Sequence, residues 1–400
     1  MASSPSTPGA LVLGGESRAL GIARSLGRRG IRVWVIDESD YLIARRSRYV
    51  ERSLSWPDRA GEAEQAALLA GFADDHDLGG WTLFATGDET AALVARHHDS
   101  LSRRYRLTTP PWAQTRLAYD KRLTYELAGA AGVAAPRTFY PAGRAELAGL
   151  EIEFPCILKP AAKADLNRFT HDKAWPAADR EELLARYEEA CSLVATEQVM
   201  VQEMVPGGGE AQFSFGAACV EGRPLGSIVA RRRRQYPVTF GHSSSFVETV
   251  DVPQVERDAR RLLEAIGYSG LVEVEFKRDP RSGEYKVLDI NPRLWTWFTL
   301  GARAGVDFPY LGFRIAQGER PAELRAQPGS RWVRMGTDVL AAGALIRTGR
   351  LSPRAYAGSL RPPIEFAVFA ADDPLPLAGS VPSLFSRLLR RAPALLRRRR

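Results

Sequence analysis

The period of the apolar positions changes along this chain, and each change marks an element. Residues 10–13 are a short apolar run that ends at Gly14-Gly15. Leu20, Ile22, Ala23 and Leu26 follow at helical spacing, and Gly30 stops that helix. A second apolar run, 31–36, ends at Asp37, and a third, 83–85, leads through Thr86-Gly87-Asp88 into an Ala-rich helix. Short buried strands alternating with amphipathic helices predict βαβ units and a parallel sheet. Beyond Pro110-Pro111 the pattern shifts. One helix is expected over about 115–131, closed by Gly132 and Pro136. Strands are then expected at 156–159, 199–203, 213–220, 225–231, 247–250, 271–278 and 285–290, with a helix over about 254–266. This second part carries antiparallel signals. The division is an unstructured 1–8, an α/β domain over 9–114, a second unit over 115–325 with lobes of about 115–200 and 201–325, and a C-terminal appendage over 326–400. No internal repeat is visible.

Length and composition agree with that division. Four hundred residues and 44.0 kDa suit two or three domains. With 45% hydrophobic and 26% charged residues the chain is neither disordered, collagenous nor a disulfide scaffold. No apolar run reaches the roughly 18 residues of a spanning helix. The N-terminal Ser/Pro-rich stretch has no secretory pattern, and three scattered cysteines (Cys156, Cys191, Cys219) suit a reduced cytoplasm. The net charge of +8 is concentrated: residues 381–400 hold seven arginines and no acid, so the remainder carries only +1. That excludes a nucleic-acid-binding face. The tail, with Leu384-Phe385, Leu388-Leu389 and Leu395-Leu396 between its arginines, suits either peripheral contact with the anionic inner face of a membrane or a solvated terminus.

The Gly14-Gly15 turn invites a dinucleotide reading, but its glycine spacing, with Gly21 the last member, lacks the residue that lets backbone approach a pyrophosphate. A tight strand-to-helix turn is the simpler account. A stronger signal is the hairpin around Asp279-Pro280-Arg281-Ser282-Gly283. Pairing about its centre sets Glu275 opposite Asp289, and period-two alternation puts Asn291 on the same face. Two carboxylates and an amide oxygen suit Mg²⁺ shared with phosphates. Alone, this describes an ordinary polar sheet face with Glu273 and Lys277 neutralising one another. Its company changes that. Lys121 sits early in the helix after the first domain, and Lys159 ends an apolar strand before Pro160, placed to meet phosphates. The run 199–206 leads into a glycine-rich turn and Glu210. Its edge can face an adenine, and the acid can accept ribose hydroxyls. Of the run Arg231–Arg234, alternation puts Arg232 and Arg234 on one face; Arg234, His242 and Ser243 are candidates for the acceptor substrate. Five histidines far apart in sequence suggest no catalytic triad.

In order, these features are lysine, lysine, linker with acid, carboxylate, then D-x-N-P-R. The sequence here resembles the ATP-grasp superfamily over roughly residues 10–320, most closely the carboxylate–amine ligase branch that includes D-aspartate ligases. The pieces are Tyr119-Asp120-Lys121, the segment 154–160, the segment 201–210, Arg234-Gln235-Tyr236-Pro237, Val274-Glu275-Phe276-Lys277 and Leu288-Asp289-Ile290-Asn291-Pro292-Arg293. The resemblance implies an ATP-grasp fold: a Rossmann-like N-terminal domain before two α+β lobes that clasp ATP. It implies a cytoplasmic ligase that joins a carboxylate to an amine through an acyl-phosphate, acting on a small molecule or a cell-envelope precursor. ATP and Mg²⁺, or Mn²⁺ in its place, are the implied cofactors. Lys121 and Lys159 would contact phosphates; Gln202, Glu203 and Val205 would line the adenine, and Glu210 would hold the ribose. Glu275, Asp289 and Asn291 would hold the metal, and Arg293, with Lys159, would steady the transferred phosphoryl group. Two departures stand out: Asp289 where the family has Glu, and a phosphate-covering loop, 161–175, that has no glycine and offers Lys163, Asn167, Arg168, His171 and Lys173 instead. Competing accounts are a non-catalytic nucleotide-binding or membrane-associated protein, and a nicotinamide-dependent oxidoreductase.

Overall fold

The computed structural model describes residues 8–37, 43–56, 61–161, 167–172, 174–239, 241 and 243–379. Strands β1 (Ala10–Leu13), β2 (Val33–Asp37), β3 (Arg52–Ser55), β4 (Thr82–Ala85) and β5 (Arg106–Leu107) form a parallel sheet in the order 3-2-1-4-5. Its central strands β1, β2 and β4 are buried throughout, as their uninterrupted apolar runs require. The order in which strands are added reverses between β1 and β4, and the crevice at their carboxyl ends is where such sheets take ligands. The Gly14-Gly15 turn is closed by side chains: Gly14 has φ +111°, and a Cβ on Gly15 would lie 1.4 Å from Asp37 Oδ2. This is a tight packing turn, with Asp37 turned onto it.

The single helix expected over 115–131 is two helices, Trp112–Tyr119 and Lys121–Ala130. Asp120 breaks them. Its extended backbone and its carboxylate, which accepts from the Arg122 amide at 2.8 Å, make it the N-cap of the second helix. Lys121 therefore starts a helix beside the cleft rather than lying within a longer one.

Strands β6 (Thr138–Phe139), β7 (Cys156–Pro160), β8 (Trp175–Ala177) and β9 (Val199–Glu203) form a small antiparallel sheet in the order 6-9-7-8. The large sheet contains β10 (Gln212–Val220), β11 (Arg223–Tyr236), β12 (Ser243–Thr249), β13 (Gly270–Arg278), β14 (Tyr285–Asn291), β15 (Leu324–Arg325), β16 (Arg331–Val333) and β17 (Glu365–Phe366). Its order is 14-13-10-11-12-16-17, with β15 beside β11. The helix Pro253–Ile266 covers one face with Val255, Ala259, Leu262, Leu263 and Ile266.

Residues after 325 are built into this frame. β16 extends the large sheet next to β12, and Asp373 accepts from Arg24 and Ser47 of the N-terminal domain. The basic tail 381–400 and the N-terminal 1–7 lie outside the described residues. No helix among the described residues is long and apolar enough to cross a membrane.

Candidate active site

A cleft of about 1060 Å³ opens between the two sheets and reaches the N-terminal domain. One wall comes from β7 and the Lys121 helix, the floor from β13 and β14, and the far end from Asp88.

The floor has the expected register. Glu275 pairs with Asp289, and Glu273 with Asn291. Nearer the turn, Phe276 pairs with Val287 and Lys277 with Lys286, so a bulge at Leu288 restores the Glu275–Asp289 match. The bulge is held from outside: Tyr125 donates to the Leu288 carbonyl at 2.9 Å. Asn291 Nδ2 donates to Glu273 at 3.2 Å and to Glu275 at 3.1 Å, while its Oδ1 accepts from Arg293 at 3.1 Å. Glu273, expected only to neutralise Lys277, is a buried member of this set. It accepts from Trp297 Nε1 at 3.1 Å. Burial, and then the charge of Glu275, hold its carboxyl well above the usual carboxylate range. Lys277 instead donates to the Val205 carbonyl at 2.7 Å and fixes the segment after β9.

Cations face this acidic floor. Lys121 Nζ lies 2.5 Å from Asp289 Oδ1, and Arg232 lies 3.5 Å from Glu275. Lys159 donates to Gln202 Oε1 at 3.1 Å, and Gln202 passes the constraint on to Thr138 at 2.8 Å. Burial, then the neighbouring Lys121 charge, lowers the Lys159 ammonium to about 8; Lys277 adds to this, and Asp289 and Glu275 oppose it. Above about pH 8 the lysine loses the charge that would meet a phosphate. The value of kcat/KM for ATP is therefore expected to fall as pH rises through about 8. In Lys159→Arg, which stays charged, that limb is expected to vanish; its persistence would assign it to another group.

Arg293 stands where the floor meets the N-terminal domain. Its guanidinium binds the Asp88 carboxylate in fork geometry, at 2.8 and 3.1 Å. Asp88 begins the helix Asp88–Arg96 just after β4, so the Thr86-Gly87-Asp88 turn into that helix also anchors the arginine of the cleft. Its position at the carboxyl end of a parallel strand was the available signal.

Other expected residues lie elsewhere. The Glu203 side chain, on the face of β9 opposite to Gln202, is taken by Lys286, Arg281 and the Arg137 amide and does not line the cleft. Glu210 lies in the turn after β9, exposed, and accepts from the Gly208 amide at 3.0 Å. Ser243 lines the cleft; His242 lies outside the described residues, as do Lys163 and Lys173. Asn167 lines the cleft, whereas Arg168 pairs with Glu189 at 2.7 Å. His171 Nδ1 lies 3.4 Å from Asp172.

Arg232 and Arg234 do not share a face. β11 bulges at Arg233, so Arg232 opposes Val247 and Arg234 opposes Phe246, adjacent residues that point to opposite sides. Arg232 enters the cleft. Arg234 goes into the core, where it is 6% exposed and bound in fork geometry to the fully buried Asp338 at 2.8 and 2.9 Å.

The donor set fits a divalent ion that is completed by phosphates. Among the described residues no group of three His, Cys, Asp or Glu could hold a metal by itself. The floor offers two facing carboxylates, Glu275 and Asp289, and the Asn291 amide, with cations already drawn to both acids. The amide would have to rotate, since its oxygen faces Arg293.

Comparison with known proteins bears out the fold. The family described as "ATP-grasp in the biosynthetic pathway with Ter operon" matches residues 195–337. D-aspartate ligase of Enterococcus faecium (strain Aus0004) is 25% identical over 228 residues, 53% of this chain. The chain spans about half the length of that relative, 53%. The L-amino acid ligase of Bacillus licheniformis superposes with a TM-score of 0.60 at 15% identity, covering 79% of this chain and 75% of that one. The biotin carboxylase domain of Hydrogenobacter thermophilus 2-oxoglutarate carboxylase, crystallised with MgADP, gives 0.62 at 17% identity over 80% and 73%.

Proposed function

We propose that this chain, whose fold is the ATP-grasp fold, is an ATP- and Mg²⁺-dependent ligase that joins a carboxylate to an amine, with release of ADP and phosphate. The observation that carries the reading is the convergence, in one cleft, of Lys121 and Lys159 with Glu275, Asp289 and Asn291, closed by Arg293. The similarity to a D-aspartate ligase supports a small amino or carboxylic acid as one substrate, with a cell-envelope precursor as the other.

A carboxylate is a poor electrophile towards an amine. Transfer of the γ-phosphoryl group to it creates an acyl-phosphate with a good leaving group, and the amine then displaces phosphate. Every reactant of the first step is anionic, so the site must supply positive charge. Lys121 and Lys159 would lie along the phosphates. Gln202 holds Lys159 in place, and Asp289 holds Lys121. Arg293, fixed by Asp88, would steady the transferred phosphoryl group. Mg²⁺, or Mn²⁺, bound by Glu275, Asp289 and Asn291 would neutralise further phosphate charge.

Hydroxylamine tests this reading, because it intercepts acyl-phosphates as hydroxamates. ADP release with Mg-ATP is expected to depend on a carboxylic acid and to be accompanied by a hydroxamate of that acid. Background ADP release across a broad set of amino and carboxylic acids, or thermal stabilisation by NAD(P)H and not by Mg-ATP, would overturn it.

A further inference from the structure

The helix Met335–Arg347 packs on β11 and β12 with one side and turns the other to solvent. Asp338, Ala341 and Ala342 are its buried residues, and Asp338 holds Arg234. Met335, Val339, Gly343 and Ile346 recur at i, i+4, i+8 and i+11, so they share the outward side. Val339 is 52% exposed and Met335 38%; Gly343 is exposed and Ile346 partly so. A surface helix normally carries charge on that side. Here the one charged residue before Arg347 is Asp338, which is fully buried. The outward side is therefore apolar from Met335 to Ile346, and an exposed apolar stripe of this kind marks a contact surface.

The border of the stripe has one sign. Residues 339–364 contain Arg347, Arg350, Arg354 and Arg361 and no acid, and all four arginines are exposed. Arg347 lies in the last turn of the helix, four residues past Gly343 and on its side. Arg350 follows directly, its amide donating to the Leu345 carbonyl at 2.9 Å. Arg354 belongs to the next helix, Pro353–Ser359, whose Tyr356 ring packs inward over the Arg234 guanidinium at 5.1 Å. Helix residues two apart do not share a side, so Arg354 points away from that contact. Among the described residues Arg347, Arg354 and Arg361 make no ion pair and no side-chain hydrogen bond. One arginine in a last turn complements the helix dipole. An apolar stripe bordered by arginines alone calls for an anionic occupant.

That charge separates the candidate occupants. A second copy docking through the same side would set these arginines against their own equivalents. The tail 381–400 would bring seven more arginines to them. Anionic lipid answers both features: headgroups meet the arginines, and the headgroup–acyl boundary takes Val339 and Met335. The same surface would attract the arginines of the tail.

We infer that the outward side of the helix Met335–Arg347, with Arg347, Arg350 and Arg354, docks on an anionic lipid surface as a peripheral contact that does not cross it. This goes beyond the ligase reading and does not depend on it. The helix starts at the cleft wall: the Arg334 amide donates to the Ser245 carbonyl at 2.9 Å, and Ser243 and Ser244 line the cleft. Docking there would hold the cleft close to the lipid.

Vesicle co-sedimentation tests this with the full-length protein. One vesicle is phosphatidylcholine alone, and the other is equal parts phosphatidylcholine and phosphatidylglycerol. The proteins are the unmodified chain, Val339→Glu, and the triple variant Arg347→Gln, Arg350→Gln, Arg354→Gln. The unmodified chain is expected to bind the mixed vesicles about tenfold or more tightly than the neutral ones. Each variant is expected to lose about tenfold or more of its affinity for the mixed vesicles, while its urea unfolding matches that of the unmodified chain. If Val339→Glu does not fold, the triple variant decides alone. An unmodified chain that pellets with neither vesicle, or equally with both, overturns the inference. Undiminished binding in either folded variant also overturns it, because any lipid contact would then belong to the tail. Sedimentation velocity without vesicles covers the remaining occupant: a dimer that Val339→Glu dissociates would give this side to a second copy and overturn the inference as well.

Discussion

Glu275→Gln and Asn291→Ala are each expected to lower ATP turnover by about two to three orders of magnitude, with little change in folding stability. Glutamine keeps the shape and still offers an oxygen to Asn291 Nδ2, which Glu275 accepts at 3.1 Å. What it removes is one of the two facing negative charges on the floor. The lost charge cannot be replaced locally: Asp289 already faces Lys121, and Glu273 is buried among Asn291 and Trp297. Asn291→Ala removes the third oxygen and also frees Arg293 from one of its two side-chain acceptors. The measurement is steady-state ADP release over a Mg²⁺ titration. Both variants should require more Mg²⁺ for half-maximal rate as well as showing a lower maximum. Wild-type rates in both would remove these residues from the metal site.

Asp338→Ala is expected to cost about 3–5 kcal/mol of stability, the largest folding effect of any single polar change considered. Asp338 is fully buried and accepts from Arg234 at two positions and from Ser245 at 2.9 Å. Removing it leaves a guanidinium 6% exposed, packed over Phe246 and Tyr356, with no counter-charge. Arg234→Ala is expected to cost a similar amount by orphaning the carboxylate. A double replacement, Arg234→Met with Asp338→Leu, should recover much of the loss, because the desolvation of both charges disappears with them. Urea unfolding of the three variants checks this. Single-variant losses under about 1 kcal/mol would show that the pair is solvated and would return Arg234 to the list of candidate substrate residues.

The contrast between Arg232 and Arg234 shows where sequence reasoning ends. Alternation put both on one face, but alternation holds only while the ladder is unbroken. One extra residue at Arg233 reverses the parity and sends one arginine to the cleft and the other into the core. The hairpin met the same hazard with a different outcome. The register near its turn is one residue away from symmetry about Ser282, and the bulge at Leu288 brings Glu275 back opposite Asp289. No local pattern announces either bulge. The break between the helices at Asp120 was legible in principle, since an Asp before a helical run is a cap signal.

Sequence alone determined the elements that build the cleft: the buried strand runs, the hairpin turn, and the order of lysines, carboxylates and D-x-N-P-R. These are written in local period and spacing, which short-range sterics and burial translate directly into strands and turns. Only the tertiary structure decided which charges meet. Asp88 reaches Arg293 and Asp338 reaches Arg234 because segments a hundred or more residues apart pack together. Electrostatic pairing depends on distance in space, which no periodicity along the chain records.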